Sequence, residues 1–144
     1  MRAHHWLLCG AVFGATGVAL GAFGAHGMPG YLEARGHSAT DIDRWMDAFE
    51  TAVRYHMYHS LAILAVGVLL LQRSSTALQV AAWAFVIGVL LFSGCLYGWV
   101  ITAAQHGWMV RVVPIGGSLL IIGWIALAIG AGTFCPKRDD AMQA

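Results

Sequence analysis

The sequence predicts an all-α membrane protein: four transmembrane helices in a tight left-handed bundle, with an amphipathic interfacial helix between the first two spans. Three observations predict it. The chain of 144 residues is 59% hydrophobic and only 10% charged, with a mean hydropathy of +0.70, whereas soluble domains are about one-quarter charged. Its charges leave long gaps: none lies between Arg2 and Glu33, Arg54 and Arg73, Arg73 and Arg111, or Arg111 and Lys137. Each gap has room for the roughly 20 residues that cross about 30 Å of hydrocarbon, and the longest, from Ser74 to Val110, holds one helix plus its connections because it is too short for two. Finally, Gly10, Gly14, Gly17, Gly21 and Gly24 recur at alternating four- and three-residue steps in the first gap. Glycine costs about 1 kcal/mol against alanine in a soluble helix, but in lipid it lets two backbones approach closely.

The first span runs over about 6–25. Arg2 before it and Ala22-Phe23-Gly24 near its end also fit a cleavable signal peptide. A packing register has no use in a discarded segment, so retention is the expectation. Gly27, Met28, Pro29 and Gly30 then break the helix. The stretch from Tyr31 to Glu50 is the polar region and holds Glu33, Asp41, Asp43, Asp47 and Glu50, five of the seven acidic residues. Thr40 with Asp43 three residues later reads as a helix N-cap, and Asp41 sits well against the helix dipole. Ile42, Trp45, Met46 and Phe49 give one apolar face. An interfacial helix over about 41–51 is therefore expected to lead into the second span, with Glu50 and Arg54 able to pair at i and i+4.

The second span covers about 52–71 and ends in the polar turn Gln72-Arg73-Ser74-Ser75. The third covers about 77–103, with Ala77, Ala81, Ala84, Gly88, Cys95, Gly98 and Thr102 forming a second small-residue seam. Gln105-His106-Gly107 makes the next connection, and Trp108 stands where aromatic belts lie. The fourth span covers about 113–134, with Pro114 tolerated in its first turn. In it Gly116, Gly123 and Gly130 repeat every seven residues, and a seven-residue repeat predicts shallow left-handed crossing. A single membrane domain accounts for residues 1–144.

Four spans place the N-terminus, the Arg73 turn and the C-terminal tail on one side. Lysine and arginine are tied across the membrane: Arg2, Arg73, Lys137 and Arg138 against Arg35, Arg44, Arg54 and Arg111. Lys137-Arg138 directly abuts a span, which favours cytoplasmic termini in a bacterial inner membrane. The formal net charge of +1 and the lack of a basic run exclude a nucleic-acid partner. Cys9, Cys95 and Cys135 are an odd set of three with no disulfide framework.

The same topology collects His26, Glu50, Tyr55, His59 and Arg111 towards one face, with His37, His56, Tyr58 and His106 nearby. Ionisable groups at membrane depth raise a functional hypothesis, and histidine both carries protons and ligates metals. Interfacial or interhelical hydrogen bonding is the plainer role for these side chains. Three functions stay open. The first is a non-enzymatic structural or assembly partner, packing through its glycine faces against other membrane proteins or itself. The second is a small proton-linked transporter or channel entered through the polar cluster. The third is a haem or metal-binding redox subunit, in which His56 or His59 pairs with His26. No catalytic residue, metal set or cofactor is assigned, since no carboxylate lies within a span and no Cys-x-x-Cys or His-x-x-x-His pair occurs.

Four stretches in order carry a family resemblance: Gly21-Ala-Phe-Gly-Ala-His-Gly27, Thr51-Ala-Val-Arg-Tyr-His-Met-Tyr-His59-Ser-Leu-Ala, Leu91-Phe-Ser-Gly-Cys-Leu-Tyr97, and Pro114-Ile-Gly-Gly-Ser-Leu-Leu-Ile-Ile-Gly-Trp124. Together they resemble the domain of unknown function 423 family of small bacterial membrane proteins, related to eukaryotic transmembrane protein 256. The resemblance implies a four-span membrane protein of uncharacterised function. It also implies that Gly24, His26, Tyr55, His59, Ser93, Tyr97, Pro114 and Gly117 belong to the family pattern. His56 stands where the family commonly has glutamine and Cys95 where serine is usual, which weakens a ligand role for His56. The linker from Met28 to Asp47 looks particular to this chain.

Overall fold

A computed structural model describes residues 2–132 of the chain. The end of the fourth span at 133–134, Cys135 and the Lys137-Arg138 pair lie outside the described residues. Among the described residues there are five helices and no strand: α1 (Ala3–His26), α2 (Met28–Glu33), α3 (Ala39–Gln72), α4 (Thr76–Ile101) and α5 (Trp108–Gly132). All but α2 are long and apolar enough to cross a membrane.

The helices pack in chain order, α1 on α3, α3 on α4 and α4 on α5, while α3 and α5 touch only marginally. Accordingly α3 and α4 are central, with 44% and 39% of their most apolar windows buried, against 17% for α1 and 22% for α5. The outer helices can therefore press one narrow edge inward and leave the rest to lipid, which is what a glycine stripe permits. On α1, Gly10, Gly17, Gly21 and Gly24 face Leu64, Met57, Val53 and Phe49 of α3. On α5, Gly116, Gly123 and Gly130 face Phe92, Phe85 and Leu78 of α4, and Gly88 and Gly98 of α4 face Leu120 and Met109. Gly14 departs from its stripe, with no atom within 4 Å of where a side chain would begin. Gly67 of α3, which the sequence reading passed over, meets Leu7. The glycine seams are thus filled by the protein's own helices.

Five local features differ from the sequence reading, each for a physical reason. The expected interfacial helix is the first third of α3, a single helix of 34 residues and about 50 Å. Its Ile42, Trp45 and Phe49 are buried on α2 and the end of α4, in a cluster with Met28, Leu32, Leu96 and Val100. The N-cap is Ser38, not Thr40: the Ser38 hydroxyl accepts from the Asp41 amide at 3.2 Å and donates to the Asp41 carboxylate at 2.6 Å. The glycine-proline break is confined to Gly27, because Pro29 fits the first turn of α2. At the other end, α4 stops at Ile101 since Ala103 and Ala104 adopt left-handed φ values of 49° and 62°. The Ala104 amide then reaches back to the Trp99 carbonyl at 2.8 Å. Helix α5 starts at Trp108, so Pro114 lies inside it and deprives the Val110 carbonyl of its helical donor.

The expected Glu50–Arg54 ion pair is absent: among the described residues no ion pair joins the two side chains, although both line one cavity. Cys9 and Cys95 are free thiols.

Candidate functional site

Helix α3 carries a run of polar side chains, Tyr55, His56, His59 and Ser60, just past Arg54. The Ser60 hydroxyl donates to the His56 carbonyl at 2.7 Å within its own helix. The two histidines point to different neighbours, as positions three apart on the edge between two helix contacts must. Both are buried, at 7% exposure for His56 and 5% for His59.

His59 joins α3 to α5. Its Nδ1 lies 2.7 Å from the Tyr55 carbonyl and its Nε2 lies 3.2 Å from the Trp124 indole nitrogen. A carbonyl only accepts and an indole N–H only donates. His59 therefore sits as the neutral tautomer protonated at Nδ1, with both nitrogens engaged. Phe85 and Trp124 flank its ring at centroid distances of 5.6 and 6.1 Å.

His56 joins α3 to α1 and α4 through longer contacts, 3.5 Å from Thr16 Oγ1 and 3.4 Å from the Tyr97 hydroxyl. Thr16 has one hydroxyl hydrogen, directed at the Val12 and Phe13 carbonyls, each 3.0 Å away. With that hydrogen on a carbonyl, Thr16 is left to accept from His56 Nε2, and Nδ1 to accept from Tyr97. Adjacent turns of α3 thus hold two histidines in opposite tautomers, each tying the central helix to an outer one.

A groove of about 640 Å³ lies beside His59, between α3 and α5 and floored by Phe92 of α4. It exists because α3 and α5 touch only marginally. Tyr55 stacks on Phe92 at 4.5 Å and 20°, and Tyr58, Leu61, Gly117, Ile121 and Trp124 complete the walls. Tyr58, Leu61 and Ile121 are 59 to 63% exposed, so the groove opens sideways, towards lipid. A smaller cavity of about 270 Å³ lies on the His56 side, among Phe13, Thr16, Val89 and Tyr97.

Of the five residues in the sequence-derived cluster, the structure brings together only Tyr55 and His59, whose rings stack at 5.9 Å. His26 is exposed at the end of α1, Arg111 is exposed near the start of α5, and Glu50 is exposed on a separate cavity. Among the described residues, no three histidine, cysteine or acidic side chains converge as a metal site would require. Trp124, Tyr97, Thr16, Phe92 and Gly117 were missed as site residues. Trp124 and Tyr97 carried a usable signal, being aromatic donors inside apolar spans, where a buried N–H or O–H needs a partner.

This architecture defines a four-span, all-α integral membrane protein with hydrogen-bonded histidines within its spans. The family described as "Protein of unknown function (DUF423)" matches residues 20–117, and the chain belongs to that family. Its relatives are bacterial proteins named UPF0382 membrane protein. That of Haemophilus influenzae is 43% identical over 122 residues, 84% of this chain and 88% of the relative. That of Staphylococcus haemolyticus is 36% identical over 90% of this chain and 96% of its own. YwdK of Bacillus subtilis is 33% identical over 88% of this chain and 94% of its own. No solved structure matches the chain.

Proposed function

We propose that the protein acts by binding within the bilayer and not by catalysis, holding an apolar molecule from the lipid phase in the groove between α3 and α5. Gly117 carries this reading. A side chain there would have ordinary contact distances of 3.7 and 3.8 Å to Phe92, so helix packing does not demand glycine. What the missing side chain preserves is the floor of the groove. Both nitrogens of His59 are engaged, which supports a structural part for this residue over one as base, proton carrier or haem ligand. His26, Glu50 and Arg111 stand apart from it and lend no support to a proton-linked entrance.

The test compares the wild-type protein with Gly117→Leu, which places a bulky side chain in the groove. After mild solubilisation, mass spectrometry is expected to find an apolar molecule retained by the wild type and lost from the variant, at an unchanged melting temperature. Equal retention would reject the reading.

A second reading, an assembly partner, is favoured by the outer faces of α1 and α5. Leu8 and Val18 on α1, and Ile121, Ile125 and Ile129 on α5, are 56 to 65% exposed. A partner would use these faces, since the glycine seams are occupied internally. Blue-native electrophoresis should then show a species well above the 15.4 kDa chain; an isolated chain would count against it.

A further inference from the structure

We infer that the cavity at the α1–α3 boundary is a headgroup site for a zwitterionic phospholipid of the phosphatidylethanolamine class. The cavity, of about 240 Å³, is lined by Gly21 and Gly24 of α1 and by Met46, Glu50, Val53 and Arg54 of α3. It is separate from the groove beside His59. Arg54 is the last charge before the apolar stretch that runs to Arg73, which puts the cavity at the level where headgroups meet acyl chains. Arg54 lies on the span side of the cavity and Glu50 one turn farther out along α3, the order in which a phosphate and the amine beyond it follow the acyl chains.

The second observation is the state of the two charges. Glu50 and Arg54 are one turn apart in the order that favours pairing on a helix, yet no ion pair joins them, and both face the same cavity. Opposite charges that line one cavity without pairing fit a ligand that carries both signs on adjacent groups. A phosphate accepts from the Arg54 guanidinium. A primary ammonium, with three N–H donors, gives one to the Glu50 carboxylate. A choline headgroup has no N–H to give, and a glycerol headgroup has no cation, so each satisfies only one of the two residues.

Full-length protein in maltoside micelles is titrated with short-chain phosphatidylethanolamine, phosphatidylcholine and phosphatidylglycerol, and bound lipid is read by native mass spectrometry. The ethanolamine lipid should bind about three- to tenfold more tightly than the other two, the range for exposed, charge-assisted contacts. Glu50→Gln should abolish that preference, and Arg54→Gln should weaken all three lipids. Both side chains are exposed, so the variants fold. Glycerophosphoethanolamine, the same headgroup without chains, should not compete at equal concentration. Equal binding of the three lipids, a preference that survives Glu50→Gln, unchanged binding by Arg54→Gln, or full competition by the soluble headgroup would each overturn the assignment.

Discussion

Trp124 of α5 donates its indole N–H to Nε2 of His59 on α3 at 3.2 Å, and this bond joins two membrane helices that otherwise hardly meet. Trp124→Phe keeps most of the ring but leaves the His59 nitrogen without a donor. It should lower stability by about 1 kcal/mol. The check is a double-mutant cycle on thermal unfolding in detergent with His59→Phe. A coupling of about 0.5–1.5 kcal/mol is expected, and additive losses would show that the bond contributes nothing.

Glycine substitutions should separate by contact distance, not by position in a stripe. A methyl at Gly116 would stand 2.5 Å from the Phe92 amide nitrogen, and backbone cannot move aside as a side chain can. Gly116→Ala should therefore cost several kcal/mol, about 3 or more, as overpacking at rigid contacts does. Gly14→Ala, in open space, should be neutral or slightly stabilising. Melting temperatures of the two variants decide the matter, and similar losses would refute the ranking.

His56→Gln should leave stability within about 0.5 kcal/mol, because glutamine offers one donor and one acceptor for Thr16 and Tyr97 in place of the two ring nitrogens. His56→Leu should cost about 1–2 kcal/mol by leaving the buried Tyr97 hydroxyl without a partner. Equal effects of the two substitutions would show that the hydrogen bonds are immaterial.

Ala104→Gly should stabilise the protein by about 0.5–1 kcal/mol. Its φ of 62° places the alanine methyl against the following carbonyl, a strain glycine does not carry. A raised melting temperature supports this, and a lowered one contradicts it.

Ser93 tests the opposite situation. Its hydroxyl is fully buried and without a hydrogen-bond partner, so Ser93→Ala should be neutral or stabilising by up to about 1 kcal/mol. A loss of stability would mean that the hydroxyl is satisfied in the membrane.

The four spans were legible because charge gaps and hydropathy report directly on transfer into lipid, and Trp6, Phe85 and Val66 fall in the core of those spans. The glycine stripes were legible as contact surfaces, but their partners were not. Nothing in a seven-residue repeat says whether Gly116 meets a neighbouring protein or Phe92 of the same chain. The site was only partly readable for a related reason. Membrane sidedness placed His26, Glu50, Tyr55, His59 and Arg111 on one face, but sidedness fixes depth only, and the rotation of each helix decides which side chains meet. That rotation directs His59 to Trp124 and His56 to Tyr97, and it leaves His26 and Arg111 outside. The amphipathic segment was misplaced because an apolar face of Ile42, Trp45 and Phe49 looks the same whether lipid or α2 covers it.

The opposed tautomers of His56 and His59 give each histidine a direction. In each set the hydrogen bonds run one way: from Tyr97 through His56 to Thr16 and the carbonyls of α1, and from Trp124 through His59 to the Tyr55 carbonyl. Each chain ends on a peptide oxygen, which takes a hydrogen bond but passes no proton on. Two histidines within the spans are thus held as hydrogen-bonded struts between helices, each fixed in its own direction by the partner on either side.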